Sequence, residues 1–171
     1  MSLIGGVLMD ITFNTEIGRF NYRVAGILIH DNKLLVMKDE NSPYYYIPGG
    51  RVAMNETSED AIMREIGEEV EIDVNVKRLL WIVENFFTEE QSGEKFHELG
   101  LYYLLELKDE NVLGNGSEFV MDEGGKHTLM FTWKPLEDIK NLFIYPLFLK
   151  EKIMKLPNTM EHIIEIKSKN L

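Results

Sequence analysis

Three glutamates close together in this 171-residue chain are the residues best suited to chemistry. On a helix, with Glu65 set at 0°, Glu68 falls at about −60° and Glu69 at about +40°. The three carboxylates therefore share one helix face, where their repulsion raises at least one pKa unless a cation is present. Such a group suits Mg²⁺ or Mn²⁺, which prefer oxygen ligands. Glutamate-rich helix faces are also typical of solvated surface, so the spacing alone leaves two interpretations open.

The residues that flank these glutamates favour the metal-binding interpretation. From Gly50 the chain runs five residues to Glu56 and seven more to Arg64-Glu65-Ile66-Gly67-Glu68-Glu69-Val70-Glu71-Ile72. This pattern resembles the Nudix box, Gly-x5-Glu-x7-Arg-Glu-U-x-Glu-Glu-x-Gly-U with U aliphatic, at eight of nine specified positions. A match of this kind has a chance probability on the order of one in a million. The preceding Tyr45-Tyr46-Ile47-Pro48-Gly49 is similar to the strand and turn that lead into the box in that family.

Two residues of the box helix are unusual. Glu71 stands where the family has Gly, and a Glu in the left-handed conformation that suits Gly there costs roughly 1 kcal/mol or more. We therefore expect a different helix end, without loss of activity, because no metal-binding carboxylate is replaced. Gly67 lies inside the helix, costs about 1 kcal/mol relative to Ala, and is interpreted as a mark of close packing.

The resemblance implies a Nudix hydrolase that splits a nucleoside-diphosphate-X substrate by water attack on phosphorus, with Mg²⁺ or Mn²⁺ as cofactor. It implies Glu68 and Glu69 as metal ligands, Glu65 as a further ligand or the base, and the Gly49 carbonyl as an additional ligand. Among the catalytic residues, we expect Arg64 to orient carboxylates through bidentate hydrogen bonds. Gly50 and Glu56 are structural members of the box, with Glu56 tying the loop to the helix.

Many family members add a glutamate from a late loop, as ligand or base. The candidates here are Glu118 and Glu123, and we favour Glu123, which precedes Gly124-Gly125 and a predicted strand. A solvated loop acid remains an open interpretation for each of them.

The substrate-binding residues and the leaving group X stay open. Aromatic side chains could stack on a base, and the candidates are Tyr44, Tyr45, Tyr46, Trp81, Phe86, Phe87, Phe96 and Trp133. The subfamily markers for ADP-ribose and dinucleoside-polyphosphate hydrolases are absent, so a nucleoside triphosphate or a small nucleotide conjugate is expected. The alternative function is a catalytically inactive Nudix-like nucleotide-binding sensor module, although such modules commonly lose box carboxylates that persist here.

The hydrophobic pattern predicts the elements that position these residues. Strands are predicted at 20–30 and 33–37 (a hairpin around Asp31-Asn32), 44–47, 74–87 and 96–107 (an antiparallel pair), 128–133 and 161–166. Helices are predicted at 57–70, 135–139 and 146–155, and a long loop at 109–126. This is an α+β chain, and the resemblance implies a mixed β-sheet sandwiched between helices, with the catalytic loop and helix at about residues 49–70.

Composition excludes several classes of function. The 18 basic and 29 acidic residues give a net charge of −11, which argues against nucleic-acid and anionic-membrane partners. The chain has no cysteine, which excludes a disulfide framework, a thiolate zinc site and a cysteine nucleophile. No apolar run approaches a membrane span and the start does not resemble a secretory signal. We therefore expect one cytoplasmic domain over residues 1–171, with its core at about 20–155 and a homodimer left open.

Overall fold

A mixed β-sheet forms the frame of the protein in the computed structural model, which describes residues 8–90, 92–109, 116–122 and 128–167. The strands in these ranges are β1 Thr12–Thr15, β2 Gly18–His30, β3 Lys33–Asp39, β4 Gly49–Arg51, β5 Val74–Thr88, β6 Lys95–Leu107, β7 Glu118–Asp122, β8 Thr128–Pro135 and β9 Glu161–Ile166. The helices are α1 Ser58–Val70, a 3₁₀ helix Leu136–Asn141 and α2 Leu149–Lys152.

Strand β2 organises the sheet, whose order is β7-β8-β3-β2-β6-β5-β9. One edge of β2 pairs in parallel with β6 from Arg19 to Leu28. The other edge pairs antiparallel with β1, then β4, then the start of β3. Strand β4, which leads into the predicted catalytic loop, is therefore held against the middle of the central strand.

Each face of the sheet carries its own hydrophobic core, because successive residues of a strand point to opposite faces. Val24 and Leu28 of β2 join the core that also contains Ala61, Ile62, Ile66 and Val70 of α1. Ala25 and Ile27 join the second core, which is covered by the 3₁₀ helix and α2 through Ile139 and Leu149. The sheet is thus sandwiched between helical layers, as predicted. Within the described residues, no helix has both the length and the apolar character that a membrane crossing requires.

The elements closest to the predicted site are confirmed. Asp31 and Asn32 have φ values of 47° and 60°, which is the geometry of a two-residue hairpin turn between β2 and β3. Helix α1 begins directly after Thr57, whose side-chain oxygen accepts a hydrogen bond from the Asp60 backbone N–H. Strands β5 and β6 form the expected antiparallel pair, and β9 occupies the predicted strand 161–166.

Other predicted elements are wrong in type or extent. The segment 44–47 makes only isolated bridges, and the segment 135–139 belongs to a 3₁₀ helix that follows Pro135. The helix predicted over 146–155 is reduced to the four residues of α2. The Glu165 carboxylate accepts hydrogen bonds from the backbone N–H groups of Leu147 and Phe148 just before its start. The predicted loop 109–126 contains β7, which is formed by pairing with β8. Strand β1 was not predicted.

Candidate active site

Strand β4, which leads into the loop before α1, begins with two glycines because neighbouring atoms fill the space where their side chains would lie. A Cβ at Gly49 would overlap the carbonyl oxygen of Val24 on β2. A Cβ at Gly50 would overlap the carboxyl group of Glu65, which comes from the middle of α1. Gly49 therefore lets β4 lie close against β2, and Gly50 lets the Glu65 carboxylate of α1 lie directly on the β4 backbone.

Arg64 joins this loop to the helix. Its Nε donates to Glu56 Oε1 at 2.7 Å and its Nη2 donates to Glu56 Oε2 at 2.9 Å. Glu56 Oε2 also accepts from the Ala53 backbone N–H at 2.9 Å, and Arg64 Nη2 also donates to the Arg51 carbonyl at 3.1 Å. The hydrogen bond from Arg64 lowers the pKa of Glu56 below its ordinary value, against the opposing effect of burial. The structure thus shows the bidentate Arg64–Glu56 pair expected from the sequence.

The third guanidinium nitrogen of Arg64 gathers two of the box carboxylates. Nη1 donates to Glu65 Oε1 at 2.7 Å and lies 3.2 Å from Glu68 Oε2. Burial raises the pKa of Glu65, while the hydrogen bond from Arg64 acts in the opposite direction. Glu65 and Glu68 therefore face the same cation, one partly buried and the other exposed.

The third box carboxylate belongs to Glu69, which is partly buried near the end of α1. Burial by itself would lower the pKa of Arg23 on β2, but the carboxylates of Glu98 and Glu69 contribute to a net rise. Glu69 therefore lies electrostatically close to β2, on which α1 packs.

The donor types of this helix face fit a hard divalent cation, because Mg²⁺ and Mn²⁺ are bound by carboxylate and carbonyl oxygens. Among the residues that the structure describes, no trio of acidic or histidine side chains is spaced as a finished metal site. Instead, Arg64 Nη1 holds the Glu65 and Glu68 carboxylates together. The residues fit a divalent ion by chemistry and by their shared position on α1.

The end of α1 corrects two expectations. Glu71 has φ 56° and ψ 35°, so it occupies the left-handed position that the family fills with Gly and the helix ends in the ordinary way. A Cβ at Gly67 would meet nothing within 4 Å, so the close packing predicted for Gly67 is wrong. Both residues are exposed.

A cavity of about 320 Å³ lies on the sheet face opposite α1, beside β2 and β4. Its volume is at the lower end of the range for small-molecule sites. Four of the aromatic candidates line it, namely Tyr44, Tyr46, Phe87 and Phe96. Trp81 and Trp133 are core residues, with exposed fractions of 0 % and 8 %.

Four polar residues in and beside this cavity were missed by sequence reasoning. Arg23 and Arg51 are cross-strand partners on β2 and β4, and Asn21 and Glu98 are cross-strand partners on β2 and β6. Arg23, Arg51 and Glu98 line the cavity. The available signal was a charged residue within an otherwise apolar strand, as at Arg23 and Glu98, since burying an unpaired charge is costly.

Of the two late-loop acids, only Glu118 lies in the described part of the chain, and no contact recorded there joins it to the box. Glu118 is exposed at the start of β7, an edge strand of the sheet. Glu123 lies outside the described residues. An assisting role for either residue stays a prediction.

The chain matches the model of the NUDIX domain family over residues 21–151. This range contains the loop, the whole of α1 and the residues that line most of the cavity.

Two curated proteins share sequence with the chain. An ADP-ribose pyrophosphatase of Methanocaldococcus jannaschii is 33% identical over 87 residues, covering 49% of each chain. A low-salt glycan biosynthesis protein of Haloferax volcanii is 32% identical over 91 residues, covering 50% of this chain and 58% of the relative. The chain thus matches about half the length of these relatives.

Solved structures share the fold at low sequence identity. An ADP-ribose pyrophosphatase of Streptococcus suis has a TM-score of 0.56 at 17% identity, covering 85% of this chain and 98% of that one. A NUDIX hydrolase of Nitrosomonas europaea has a TM-score of 0.55 at 19% identity, covering 90% of this chain and 82% of that one. These likenesses establish the architecture of the sheet and its helices.

Proposed function

Because the chain belongs to the NUDIX domain family, we propose that it is a pyrophosphohydrolase acting on a nucleoside-diphosphate-X substrate. Water adds to one phosphorus atom, the bridging P–O bond breaks, and a nucleoside phosphate and phospho-X leave. The observation that carries the proposal is the Arg64 guanidinium, which bonds Glu56, Glu65 and Glu68 at once. This set gathers carboxylates that a solvated helix face would let spread apart.

The proposed cofactor is Mg²⁺ or Mn²⁺, held by Glu65, Glu68, Glu69 and the carbonyl oxygen of Gly49. When bound, the ion neutralises charge on the diphosphate and lowers the pKa of a bound water. The clustering of Glu65 and Glu68 on one guanidinium nitrogen supports this ligand set.

Within the proposed site, Arg64 is a positioning residue. All of its guanidinium nitrogens are engaged by Glu56, Glu65, Glu68 and the Arg51 carbonyl. It fixes the direction of the carboxylates and ties the loop to the helix through Glu56. Glu65 is the proposed base or further ligand, and its location against Gly50 limits its movement.

The cavity supports a small nucleotide as substrate. Arg23 and Arg51 offer positive charge to phosphates, and the aromatic side chains of the cavity offer faces to a base. ADP-ribose is the first compound to test, because a relative carries that activity in its name. Nucleoside triphosphates and other small nucleotide conjugates complete the substrate class.

The test is incubation of the purified chain with Mg²⁺, Mn²⁺ or a chelator and a panel containing ADP-ribose, nucleoside triphosphates and nucleotide sugars. Products are separated by chromatography. We expect turnover of at least one compound, complete loss with the chelator and recovery when the ion is restored. Tight nucleotide binding without turnover of any compound would favour the inactive sensor module instead.

The remaining proposals concern the whole chain. We propose one domain over residues 1–171 with its core at about 20–155, and a cytoplasmic location supported by the cysteine-free composition. The strong negative charge supports a small-molecule partner over a nucleic acid.

A further inference from the structure

A chain of hydrogen bonds crosses three strands at the wall of the cavity. Arg51 Nε on β4 donates to Asn21 Oδ1 on β2 at 2.8 Å. Asn21 Nδ2 then donates to Glu98 Oε2 on β6 at 2.7 Å. Because both groups of the Asn21 amide are used, its orientation is fixed and the Glu98 carboxylate is held in place.

Glu98 has acceptor capacity that the protein does not use. It is only 7% exposed and forms part of the cavity lining. Within the described part of the chain, Asn21 donates to Oε2 and no residue donates to Oε1. Oε1 is not among the enclosed, unpartnered side-chain oxygens of the described residues, so it stays accessible from the cavity that Glu98 lines. A ligand in the cavity can therefore donate a hydrogen bond to it.

The position of Glu98 relative to the arginines indicates which part of a nucleotide it meets. Asn21, the partner of Glu98, precedes Arg23 by two residues on β2, so both lie on one face about 7 Å apart. If the diphosphate lies at the arginines, a group at Glu98 is about one sugar length further on, which is where the ribose attached to the diphosphate would lie.

Ribose matches the unused acceptors of Glu98. Its two adjacent hydroxyls supply two O–H donors, and each carboxylate oxygen can accept more than one hydrogen bond. Acidic side chains bind ribose hydroxyls in this way in dinucleotide-binding folds. The aromatic faces of Phe87 and Phe96, which line the same cavity, are then available to the base.

We propose that Glu98, held by Asn21 and Arg51, binds the 2′- and 3′-hydroxyls of a ribose and makes the site select ribonucleotides over 2′-deoxyribonucleotides. The inference rests on the proposed function only in placing the phosphates at the arginines. Two riboses carry such adjacent hydroxyls: the ribose of the nucleoside, and the ribose of a ribose phosphate released as phospho-X.

Binding without turnover tests the proposal. Wild-type protein is titrated calorimetrically, free of divalent ions, with AMP, 2′-deoxy-AMP, IMP, ribose 5-phosphate and 2-deoxyribose 5-phosphate. Loss of a hydrogen bond to a charged group predicts that the deoxy compound of at least one pair binds about 10- to 100-fold more weakly. A difference only in the AMP pair assigns Glu98 to the nucleoside ribose, and a difference only in the ribose phosphate pair assigns it to X.

Other results of the same titrations overturn the proposal. Equal affinities for ribo and deoxy compounds, or no binding of any of them, would show that the cavity does not bind the ribose hydroxyls selectively. If IMP bound more weakly than AMP while 2′-deoxy-AMP bound as tightly as AMP, the cavity would recognise the adenine amino group and not the ribose. None of these outcomes needs a variant that might fail to fold.

The variant Glu98→Gln assigns the effect to the residue. It keeps the size of the side chain and an oxygen for Asn21, but presents an NH₂ group that cannot accept from a hydroxyl. We expect its ribo-to-deoxy affinity ratio to fall to within about threefold. Glu89→Gln is the matched control, because Glu89 lines the same cavity but is exposed, and its ratio should equal that of the wild type.

The outcome is distinguishable from failure of the proposed function. Diol selectivity that disappears in Glu98→Gln, in a protein that hydrolyses no compound of the substrate panel, would keep the inference and reject the hydrolase. If the wild type hydrolyses a compound of the panel and Glu98→Gln keeps the same ribo-to-deoxy affinity ratio, the hydrolase proposal stands and the role of Glu98 is rejected.

Discussion

At the scale of single residues, Arg64 decides how the acidic helix face is used. Three glutamates within one turn would repel one another, and a solvated helix face would let them spread. Arg64 instead draws Glu65 and Glu68 to one nitrogen and anchors itself on Glu56. The cost of clustering the negative charge is thereby reduced before any metal binds.

The Glu56–Arg64 pair gives a pH-dependent prediction. We expect Glu56→Gln to lower the free energy of unfolding by about 2 kcal/mol at pH 7, through the loss of charged hydrogen bonds. Because the folded-state pKa of Glu56 is lowered, its contribution is present above the ordinary value of 4.5 and is lost as the pH falls through the folded-state pKa. Urea unfolding of both proteins at pH 7 and pH 3 measures the difference, which should shrink at pH 3.

The control for this change is Glu59→Gln, an exposed carboxylate on the first turn of the same helix. Its effect should remain below about 1 kcal/mol. An equal loss in both variants would mean that the ion pair with Arg64 adds nothing to stability.

The proposed ligand Glu69 gives a catalytic prediction. We expect Glu69→Gln to reduce kcat on the best substrate of the panel by about 10²- to 10⁴-fold, because the amide removes a charged ligand while keeping the shape. The measurement is steady-state kinetics, with circular dichroism to check the fold. Retention of more than half of the wild-type turnover would remove Glu69 from the metal site.

At the scale of elements, α1 is held by its packing against the sheet more than by its local sequence. Ala61, Ile62, Ile66 and Val70 are buried against the sheet. Gly67 lies in the helix with open space around it, and Glu71 takes a left-handed conformation that favours Gly. The tertiary contacts of α1 therefore outweigh the low helix propensity of Gly67 and the unfavourable backbone conformation of Glu71. Substitutions at both positions should increase the stability of the protein.

Glu71→Gly should stabilise the protein. The left-handed conformation costs a non-glycine residue about 1 to 2 kcal/mol, partly offset by the greater freedom of Gly in the unfolded chain. We expect a net gain of about 1 kcal/mol in urea unfolding. Glu71→Gln keeps the Cβ and removes only the charge, so a gain of equal size there would attribute the cost to the charge at the helix end rather than to the backbone.

Gly67→Ala should also stabilise the protein, by about 1 kcal/mol, because Ala is the better helix former and its Cβ meets no atom. The contrast is Gly50→Ala, whose Cβ would displace the Glu65 carboxyl group. In thermal unfolding, the melting temperature of Gly67→Ala should be higher than that of the wild type and the melting temperature of Gly50→Ala should be lower. A destabilised Gly67→Ala would reveal packing against this helix face.

At the scale of the whole molecule, the net charge of −11 means that a bound cation reduces repulsion between negative charges. Such an ion should therefore stabilise the folded protein in addition to its proposed role in the reaction. The box carboxylates concentrate part of that charge on one helix, where Arg64 provides direct compensation. An ion that binds only the folded state stabilises it by RT ln(1 + [L]/Kd).

Magnesium should therefore raise the melting temperature. At a hundredfold excess over Kd the stabilisation is about 2.7 kcal/mol, or about 5 to 10 °C for a chain of this size. Calorimetric scans at matched ionic strength should show this rise in the wild type and in Glu59→Gln, and none in the double variant Glu68→Gln with Glu69→Gln. An undiminished rise in the double variant would place the ion elsewhere.

The sequence by itself determined the parts of this protein that depend on local order. The hydrophobic pattern predicted α1, and the resemblance of the box implied the Arg64–Glu56 pair; both join residues that are close in the chain. The hairpin at Asp31-Asn32 and the β5–β6 pair followed from turn chemistry and alternating hydrophobicity.

Only the tertiary structure decided the features that depend on distant strands meeting. Strand β9 pairs with β5, which lies far from it in the chain, and the Glu165 carboxylate of β9 binds backbone N–H groups just before α2. The cavity wall brings Asn21, Arg51 and Glu98 together across separations of 30 and 77 residues. Strand pairing and register place such residues side by side, and a single sequence contains no local signal of which strands will pair.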